Sequence, residues 1–121
     1  MTINESPTPP TTRWIAVALV NALESDEEML AIENGQTRIA LFRVNSKLYA
    51  TENICTHANA ALTDGWLEGC IVECPLHGGR FDVTTGKGLG PPITCDLKTY
   101  DVRIVGNDIE IAIEQEEGQA G

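Results

Sequence analysis

The stretch CTHANAALTDGWLEGCIVECPLHGG, residues 55–79, contains both histidines of a chain of 121 residues. Each histidine closely follows a cysteine: His57 lies two residues after Cys55, and His77 lies three residues after Cys74. Sixteen residues separate His57 from Cys74. Cysteine and histidine at this spacing can reach one centre from a tight loop. Two such loops would therefore supply two sulfur and two nitrogen ligands.

Three kinds of site use cysteine and histidine together. Structural zinc takes two of each, but zinc fingers usually pair Cys with Cys and place both histidines on a helix, and no helical period follows these boxes. A Cys–His nucleophile pair needs one residue of each type and leaves the second box unexplained. A [2Fe–2S] cluster with two sulfurs on one iron and two imidazoles on the other accounts for both boxes, since each loop can give one ligand of each type.

The longer pattern C-T-H, sixteen residues and then C-P-L-H-G-G-R-F-D-V-T-T-G-K resembles the Rieske ferredoxins of bacterial aromatic-ring-hydroxylating dioxygenases. The resemblance extends from about Trp14 to Ile113. It includes Leu48-Tyr49-Ala50-Thr51 before the first box, Asp64-Gly65-Trp66-Leu67 between the boxes, and Pro91-Pro92 after the second. The fold that it implies is all-β, an antiparallel β-sandwich base with a small cluster-binding subdomain of loops and short strands.

The resemblance also implies one Rieske-type [2Fe–2S] cluster and a role for each residue of the two boxes. Cys55 and Cys74 would hold a buried iron, and His57 and His77 would hold an outer iron near the tip of the protein. Pro91-Pro92 would belong to a proline-containing loop that covers the cluster from a third side. No catalytic residue is implied.

Four positions beside the boxes indicate a low reduction potential. High-potential Rieske proteins of quinol-oxidising complexes resemble C-T-H-L-G-C and C-P-C-H-G-S-x-Y, in which two cysteines form a disulfide and two hydroxyls donate hydrogen bonds to sulfur. The matching positions here are Ala60, Leu76, Gly79 and Phe81. These side chains can neither form a disulfide nor donate a hydrogen bond to sulfur. Fewer donors and a net charge of −10 both favour the oxidised cluster. We therefore expect the low end of the Rieske range of ~−150 to +300 mV.

The chain has two histidines, both in the boxes, and this number limits its function. The catalytic subunit of a terminal oxygenase needs a second, mononuclear iron site with two further histidines and a carboxylate. The resemblance therefore implies an electron carrier, not an enzyme, in aromatic hydrocarbon catabolism. It would shuttle electrons from a flavin-containing reductase to a terminal non-haem iron oxygenase. The alternative is a Rieske subunit of another oxidoreductase complex, of the nitrite-reductase small-subunit type.

The length and net charge of the chain limit its domain organisation and the kinds of partner that it can bind. We expect a disordered tail at 1–12, one Rieske domain at 13–114 with its cluster-binding subdomain at about 53–92, and a flexible tail at 115–121. The net charge of −10 argues against nucleic acid and favours steering onto basic proteins. No apolar run approaches the ~20 residues that cross a bilayer, and the N-terminus lacks signal-peptide features. We therefore expect a cytoplasmic protein with no membrane partner.

Alternating apolar residues predict strands on both sides of the segment at about 53–92, whose composition instead indicates loops. The strands are expected at residues 14–20, 29–33, 37–44, 47–51, 99–105 and 108–113. Asn34-Gly35 and Gly106-Asn107 predict hairpin turns, and Asn45-Ser46 predicts a further turn. No segment shows a sustained helical period.

The remaining residues near the boxes are assigned structural roles. We expect Cys70 and Cys95 to be small buried hydrophobic residues, and Trp66 to pack between loops. Gly78-Gly79 would let backbone amides approach the cluster. Arg80 is expected to be a solvated surface charge.

Overall fold

The computed structural model describes residues 12–23, 28–35, 37–55, 60–76, 78–91, 93 and 95–114. Apart from two turns of 3₁₀ helix, Val20–Leu23 and Leu62–Asp64, the regular structure of these residues is β-strand, which confirms the all-β prediction. The strands are β1 (Thr12–Leu19), β2 (Met29–Asn34), β3 (Thr37–Val44), β4 (Lys47–Glu52), β5 (Trp66–Glu68), β6 (Ile71–Glu73), β7 (Arg80–Asp82), β8 (Thr99–Tyr100), β9 (Val102–Val105) and β10 (Asp108–Glu114).

The described strands form three antiparallel sheets. Sheet A has the order β1-β10-β9 and sheet B the order β2-β3-β4-β8. Sheet C, with the order β5-β6-β7, is built from three-residue strands between the two Cys/His boxes and just after them. Sheets A and B form the base, and sheet C belongs to the small subdomain that carries the boxes.

Strand β3 contributes side chains to both hydrophobic cores of the protein. Because side chains alternate along a strand, Ile39 and Leu41 point to one side of β3 and Ala40 and Phe42 to the other. All four are fully buried. Ile39 and Leu41 pack in a lower core with Ile109 and Ile111 of sheet A. Ala40 and Phe42 pack in an upper core that contains both Cys55 and Cys74.

The predicted hairpins in the base are confirmed. Strands β2 and β3 pair from Met29↔Phe42 to Asn34↔Thr37, and Gly35 has the positive φ of +66° that the connecting turn requires. The Asn45-Ser46 turn also has positive φ at both residues, 52° and 69°, as a two-residue hairpin loop prefers. Strands β9 and β10 form the third hairpin around Gly106-Asn107.

The single strand predicted at 99–105 was wrong. The chain instead forms two strands that belong to different sheets, because Tyr100 pairs with Ala50 in sheet B whereas Val102 pairs with Ile111 in sheet A. Asp101 lies at the crossing, and its carbonyl accepts a hydrogen bond from the Ala112 amide at 3.0 Å. The alternation of apolar and polar residues continues through Asp101, so the sequence pattern does not show where one strand ends and the next begins.

Several predictions fall on residues outside the described ranges. These are His57, His77 and Pro92 of the boxes and the proline loop, and both terminal tails except for Thr12, which begins β1. In the part of the chain that is described, no helix is long and apolar enough to span a membrane.

Candidate metal centre

The two cysteine loops are closed by the same backbone hydrogen bond. The Cys55 amide donates to the Ala60 carbonyl at 2.9 Å, and the Cys74 amide donates to the Gly79 carbonyl at 2.7 Å. In both loops the acceptor lies five residues after the cysteine. His57 and His77 each fall between these two ends in the sequence. The chain therefore builds two loops of equal length, each of which begins with a cysteine and contains one histidine.

The fold buries the two cysteine thiols in one core cluster. Cys55 and Cys74 are 3% and 0% exposed, both are free thiols, and they lie close enough for Cys55 to raise the pKa of Cys74. Burial is the main reason why the pKa of the Cys74 thiol is raised. The Leu76 amide, 3.4 Å from Cys74 Sγ, lowers this pKa, while neighbouring Cys55 raises it. Two buried thiols of this kind fit a cationic centre that would replace their protons.

Asn53 ties the first cysteine loop to the residues that follow it. Its side-chain Nδ2 donates to Thr63 Oγ1 at 3.0 Å, and its Oδ1 accepts a hydrogen bond from the Thr63 amide at 3.0 Å. The Asn53 backbone amide donates to the Arg38 carbonyl of β3, also at 3.0 Å. Asn53 is itself buried. One buried amide side chain thus joins the residues before and after the first loop, and its backbone anchors both to β3.

Ile93 packs where two glycines leave space for it. A methyl group at Gly79 would lie 2.5 Å from Ile93 Cδ1 and 3.7 Å from Cys55 Sγ, and one at Gly88 would lie 2.4 Å from Ile93 Cγ2. Such distances are too short for real carbon–carbon contacts, so a side chain at either position would displace Ile93. Ile93 therefore belongs to the apolar wall beside the Cys55 sulfur, and it belongs to the same core cluster as both cysteines.

Backbone hydrogen bonds hold the segment that carries Ile93 and Pro91. The Leu89 amide donates to the Arg80 carbonyl at 2.9 Å, and the Leu97 amide donates to the Gly86 carbonyl at 2.7 Å. The Ile93 amide closes a turn onto the Gly90 carbonyl at 2.9 Å. Ile93 brings this segment against Gly79 of the second loop, and the covering of the cluster by Pro91-Pro92 stays a prediction.

Two structural predictions near the boxes were wrong. Trp66, expected to pack between loops, is 61% exposed, because no second layer among the described residues covers the outer face of its three-residue strand in sheet C. Cys95, expected to be buried, is exposed, whereas Cys70 is half-buried against the upper core. Among the described residues, neither Cys70 nor Cys95 forms a disulfide.

The sequence analysis missed Asn53 and Ile93. Neither residue has a chemistry that marks it as part of a metal centre. Their roles come from partners ten or more residues away along the chain, such as Thr63 and Gly79. The one available signal was position: both lie within 53–92 or directly after it, in the segment expected to carry the site.

Comparison with known families decides what the paired loops belong to. A family model described as the Rieske [2Fe–2S] domain matches residues 13–101. The chain belongs to the Rieske [2Fe–2S] family. The cofactor of this Rieske protein is a [2Fe–2S] cluster, and the buried thiol pair fits it because two sulfur ligands on one iron are what such a cluster requires.

Relatives of this Rieske protein are ferredoxins. The ferredoxin component of the naphthalene 1,2-dioxygenase system of Pseudomonas putida is 50% identical over 95 residues, which cover 78% of this chain and 89% of that protein. The ferredoxin of carbazole 1,9a-dioxygenase from Nocardioides aromaticivorans IC177 superposes with a TM-score of 0.74 at 32% identity, covering 81% of this chain and 95% of that one. This Rieske protein is thus a ferredoxin, an electron carrier and not an enzyme.

A solved complex shows a similar protein with a partner. It is described as reduced oxygenase with oxidised ferredoxin in carbazole 1,9a-dioxygenase. Its matching chain superposes on this Rieske protein with a TM-score of 0.77 at 33% identity, covering 85% of this chain and 95% of that one.

Proposed function

We propose that this Rieske ferredoxin carries single electrons from a flavin-containing reductase to a terminal non-haem iron oxygenase that hydroxylates aromatic rings. Cys55 and Cys74 hold the inner iron of its [2Fe–2S] cluster, and His57 and His77 hold the outer iron. When bound, the cluster supplies a centre that takes up and releases one electron at a time. The protein acts in the cytoplasm, where its four cysteines stay reduced.

One observation supports the ligand assignment above all others, namely that the buried thiols of Cys55 and Cys74 lie in one core cluster. These cysteines begin two loops with the same five-residue closure, and each loop contains one of the two histidines of the chain. The equal closures support two loops that face one centre. Sulfur ligands at buried positions leave the histidine nitrogens as ligands for the more exposed iron.

The environment of the sulfurs supports a potential near the low end of the Rieske range. The Leu76 backbone amide donates a hydrogen bond to Cys74 Sγ at 3.4 Å, an ordinary length for a sulfur acceptor. The position that carries a tyrosine in high-potential relatives is Phe81, which is fully buried and has no hydroxyl. Hydrogen bonds to sulfur stabilise the reduced cluster, so the missing hydroxyl favours a potential of about −150 mV rather than a positive one.

The surface near the boxes supports brief docking to partner proteins. Leu76 of the second loop and Leu89 beside the proline segment are exposed apolar residues, and the exposed carboxylates of Asp64 and Glu68 lie on neighbouring elements. A small apolar surface with acidic neighbours suits a fast, short-lived encounter with a basic protein. The oxygenase in the solved relative complex gives the type of partner. The reductase is the matching electron donor.

We also place the domain at residues 13–114, with its cluster-binding subdomain at about 53–92. Sheet C and both closed loops lie within this subdomain, and the upper core connects it to β3.

The four cysteines provide a matched test of the ligand set. Cys55→Ser and Cys74→Ser should each abolish the visible absorbance and EPR signal of the cluster. Cys70→Ser and Cys95→Ser should leave both signals intact, because neither residue belongs to the paired loops. A cluster that survives Cys55→Ser, or disappears in Cys70→Ser, would contradict the assignment.

Electron transfer itself is tested by stopped-flow mixing. The wild-type protein, reduced by a flavin-containing ferredoxin reductase, should be reoxidised by an aromatic-ring-hydroxylating oxygenase, with one electron delivered per protein. A reduced protein that passes no electrons to such an oxygenase would contradict the proposed function.

A further inference from the structure

The outer face of sheet C forms a shallow groove beside the second cysteine loop. Trp66, Glu73 and Arg80 lie opposite one another on β5, β6 and β7, so their side chains share one face of the sheet. Glu68 and Ile71 form the next row on the same face. Together these five residues line a pocket of about 200 Å³. The opposite face carries Val72 and Phe81 into the upper core.

The charge of this groove is unbalanced. Two carboxylates, Glu68 and Glu73, face a single guanidinium, Arg80. The ion pair between Arg80 Nε and Glu73 Oε1 is long, at 3.8 Å, and its side chains are 58% and 43% exposed. Exposed ion pairs of this kind contribute little, so the groove keeps the ability to bind a second cation.

The other tryptophan of the chain shows what the Trp66 groove lacks. On the outer face of sheet A, the Arg103 guanidinium lies 4.1 Å from the centre of the Trp14 ring, and it also pairs with Glu110 at 2.7 Å. Trp14 is 37% exposed under this arginine, whereas Trp66 is 61% exposed. In the described part of the chain, no cation lies over the Trp66 ring. Sheet C thus presents an aromatic ring and a carboxylate pair without the arginine that completes this arrangement in sheet A.

We propose that the groove receives an arginine side chain from a basic surface segment of the terminal oxygenase, the kind of partner found with a similar ferredoxin. The arginine stacks on Trp66 and pairs with Glu68 and Glu73, because a guanidinium can do both at once. This proposal rests on the proposed function, since it describes how a partner of that function docks.

The position of the groove favours electron transfer. Glu73 directly precedes Cys74, and Arg80 directly follows Gly79, so these two groove residues flank the second cysteine loop. A partner held at Trp66 is therefore seated beside that loop. Trp66 supplies a lateral contact that orients the partner, in addition to the exposed apolar residues Leu76 and Leu89.

Variants of the groove test this arrangement. In the cluster-loaded protein, Trp66→Ala should raise the Kd for the oxygenase by about fivefold to tenfold, and Trp66→Phe should retain part of the affinity. Glu68→Lys should weaken binding more than Glu68→Gln, and most strongly at low salt. The controls are Leu19→Ala and Glu33→Lys, which change exposed residues of the base.

The measurements distinguish an effect on docking at the groove from an effect on the cluster. They also distinguish failure of the groove proposal from failure of the proposed function. The potential and EPR spectrum of Trp66→Ala should match those of the wild type, because this side chain points away from the core. A Kd for the oxygenase within twofold of wild type in Trp66→Ala would overturn the groove proposal while leaving the proposed function intact. If the wild-type protein did not bind the oxygenase, the proposed function would fail as well.

Discussion

The side chain of Asn53 bridges to Thr63 through two hydrogen bonds, one to the hydroxyl and one from the backbone amide, both 3.0 Å long. Thr63 lies ten positions after Asn53 in the sequence, and the whole first cysteine loop lies between them. Because Asn53 is buried, neither bond can be replaced easily by water. The first loop is therefore held by this side-chain bridge and by the backbone hydrogen bond from Cys55 to Ala60.

Loss of this bridge should destabilise both the fold and the cluster. Thr63→Val leaves the Asn53 amide group without its acceptor, and Asn53→Ala removes both bonds. We expect each variant to lose about 1–3 kcal/mol of unfolding free energy and to release its cluster faster when an iron chelator is present. Urea unfolding and the decay of visible absorbance measure the two effects.

Thr85→Val is the matched control for Thr63→Val. The Thr85 hydroxyl accepts a hydrogen bond from the Lys87 amide at 3.2 Å in an exposed turn. We expect this variant to stay within about 0.5 kcal/mol of wild type. Equal stability and equal cluster lifetime in the Thr63 and Thr85 variants would show that the bridge does not position the loop.

Gly79 and Ile93 should behave as a coupled pair. Gly79→Ala places a methyl group 2.5 Å from Ile93 Cδ1, so we expect a loss of about 1–3 kcal/mol. Ile93→Val removes that carbon and should cost about 0.5–1.5 kcal/mol by itself. In the double variant, the methyl group added at position 79 can occupy the space that Ile93 Cδ1 filled. The loss of unfolding free energy should therefore be smaller than the sum of the two single losses.

A double-mutant cycle in urea measures this coupling. Strict additivity of the two losses would show that Ile93 does not occupy the space beside Gly79. The chelator assay provides a second readout, because an intact apolar wall beside Cys55 should slow access to the sulfur.

Tyr100 should ionise only at unusually high pH. Burial chiefly raises its pKa above 10.0, and the Glu52 carboxylate raises it further. A phenol whose pKa is raised by folding contributes stability that is fully present below the unfolded value of ~10, and this stability is lost as the pH rises through the folded value. Stability should therefore fall on the alkaline side of pH ~10.

The tyrosinate absorbance measures this pKa directly. The chain has two tyrosines, so Tyr49→Phe isolates Tyr100. Adding Glu52→Gln should move the titration of Tyr100 part of the way back towards its ordinary value. Titration of Tyr100 at or below pH ~10 in the Tyr49 variant would contradict this expectation.

Charge reversal near the boxes should slow the approach of a basic partner. Asp64 is exposed at the end of the 3₁₀ turn that follows the first loop. We expect Asp64→Lys to slow electron transfer to the oxygenase several-fold at low salt, with the difference disappearing at high salt. Glu33→Lys makes the same change of charge on β2 of the base and should have a smaller effect. Identical low-salt rates for wild type and Asp64→Lys would exclude steering through this carboxylate.

The sequence predicted features that depend on neighbouring residues. The hairpins around Asn34-Gly35 and Gly106-Asn107 follow from turn chemistry and alternation, and both are confirmed. The Cys/His boxes are equally local, and they were sufficient to indicate the family and the cluster. The resemblance implies that Cys55 and Cys74 bind one iron, and this assignment stays a prediction, although the structure buries both thiols in one core cluster.

Features that depend on distant partners could not be predicted. The chain changes sheets at Asp101 without any change in its hydrophobic pattern, because both sheets need the same alternation. Trp66 has the composition of a core residue, and its exposure follows from the absence of a second layer over its short sheet among the described residues. The roles of Asn53 and Ile93 depend on contacts that link residues far apart in the chain.

An EPR-monitored redox titration of the wild-type protein tests the central claim most directly, namely that two cysteines and two histidines hold one low-potential cluster. We expect a single one-electron step near ~−150 mV, at the low end of the Rieske range, and hyperfine coupling to nitrogen from two histidine ligands in the reduced state. A potential near ~−400 mV without nitrogen coupling would indicate all-cysteine ligation. A potential well above zero would show that the scarcity of donors to the sulfurs does not set the potential.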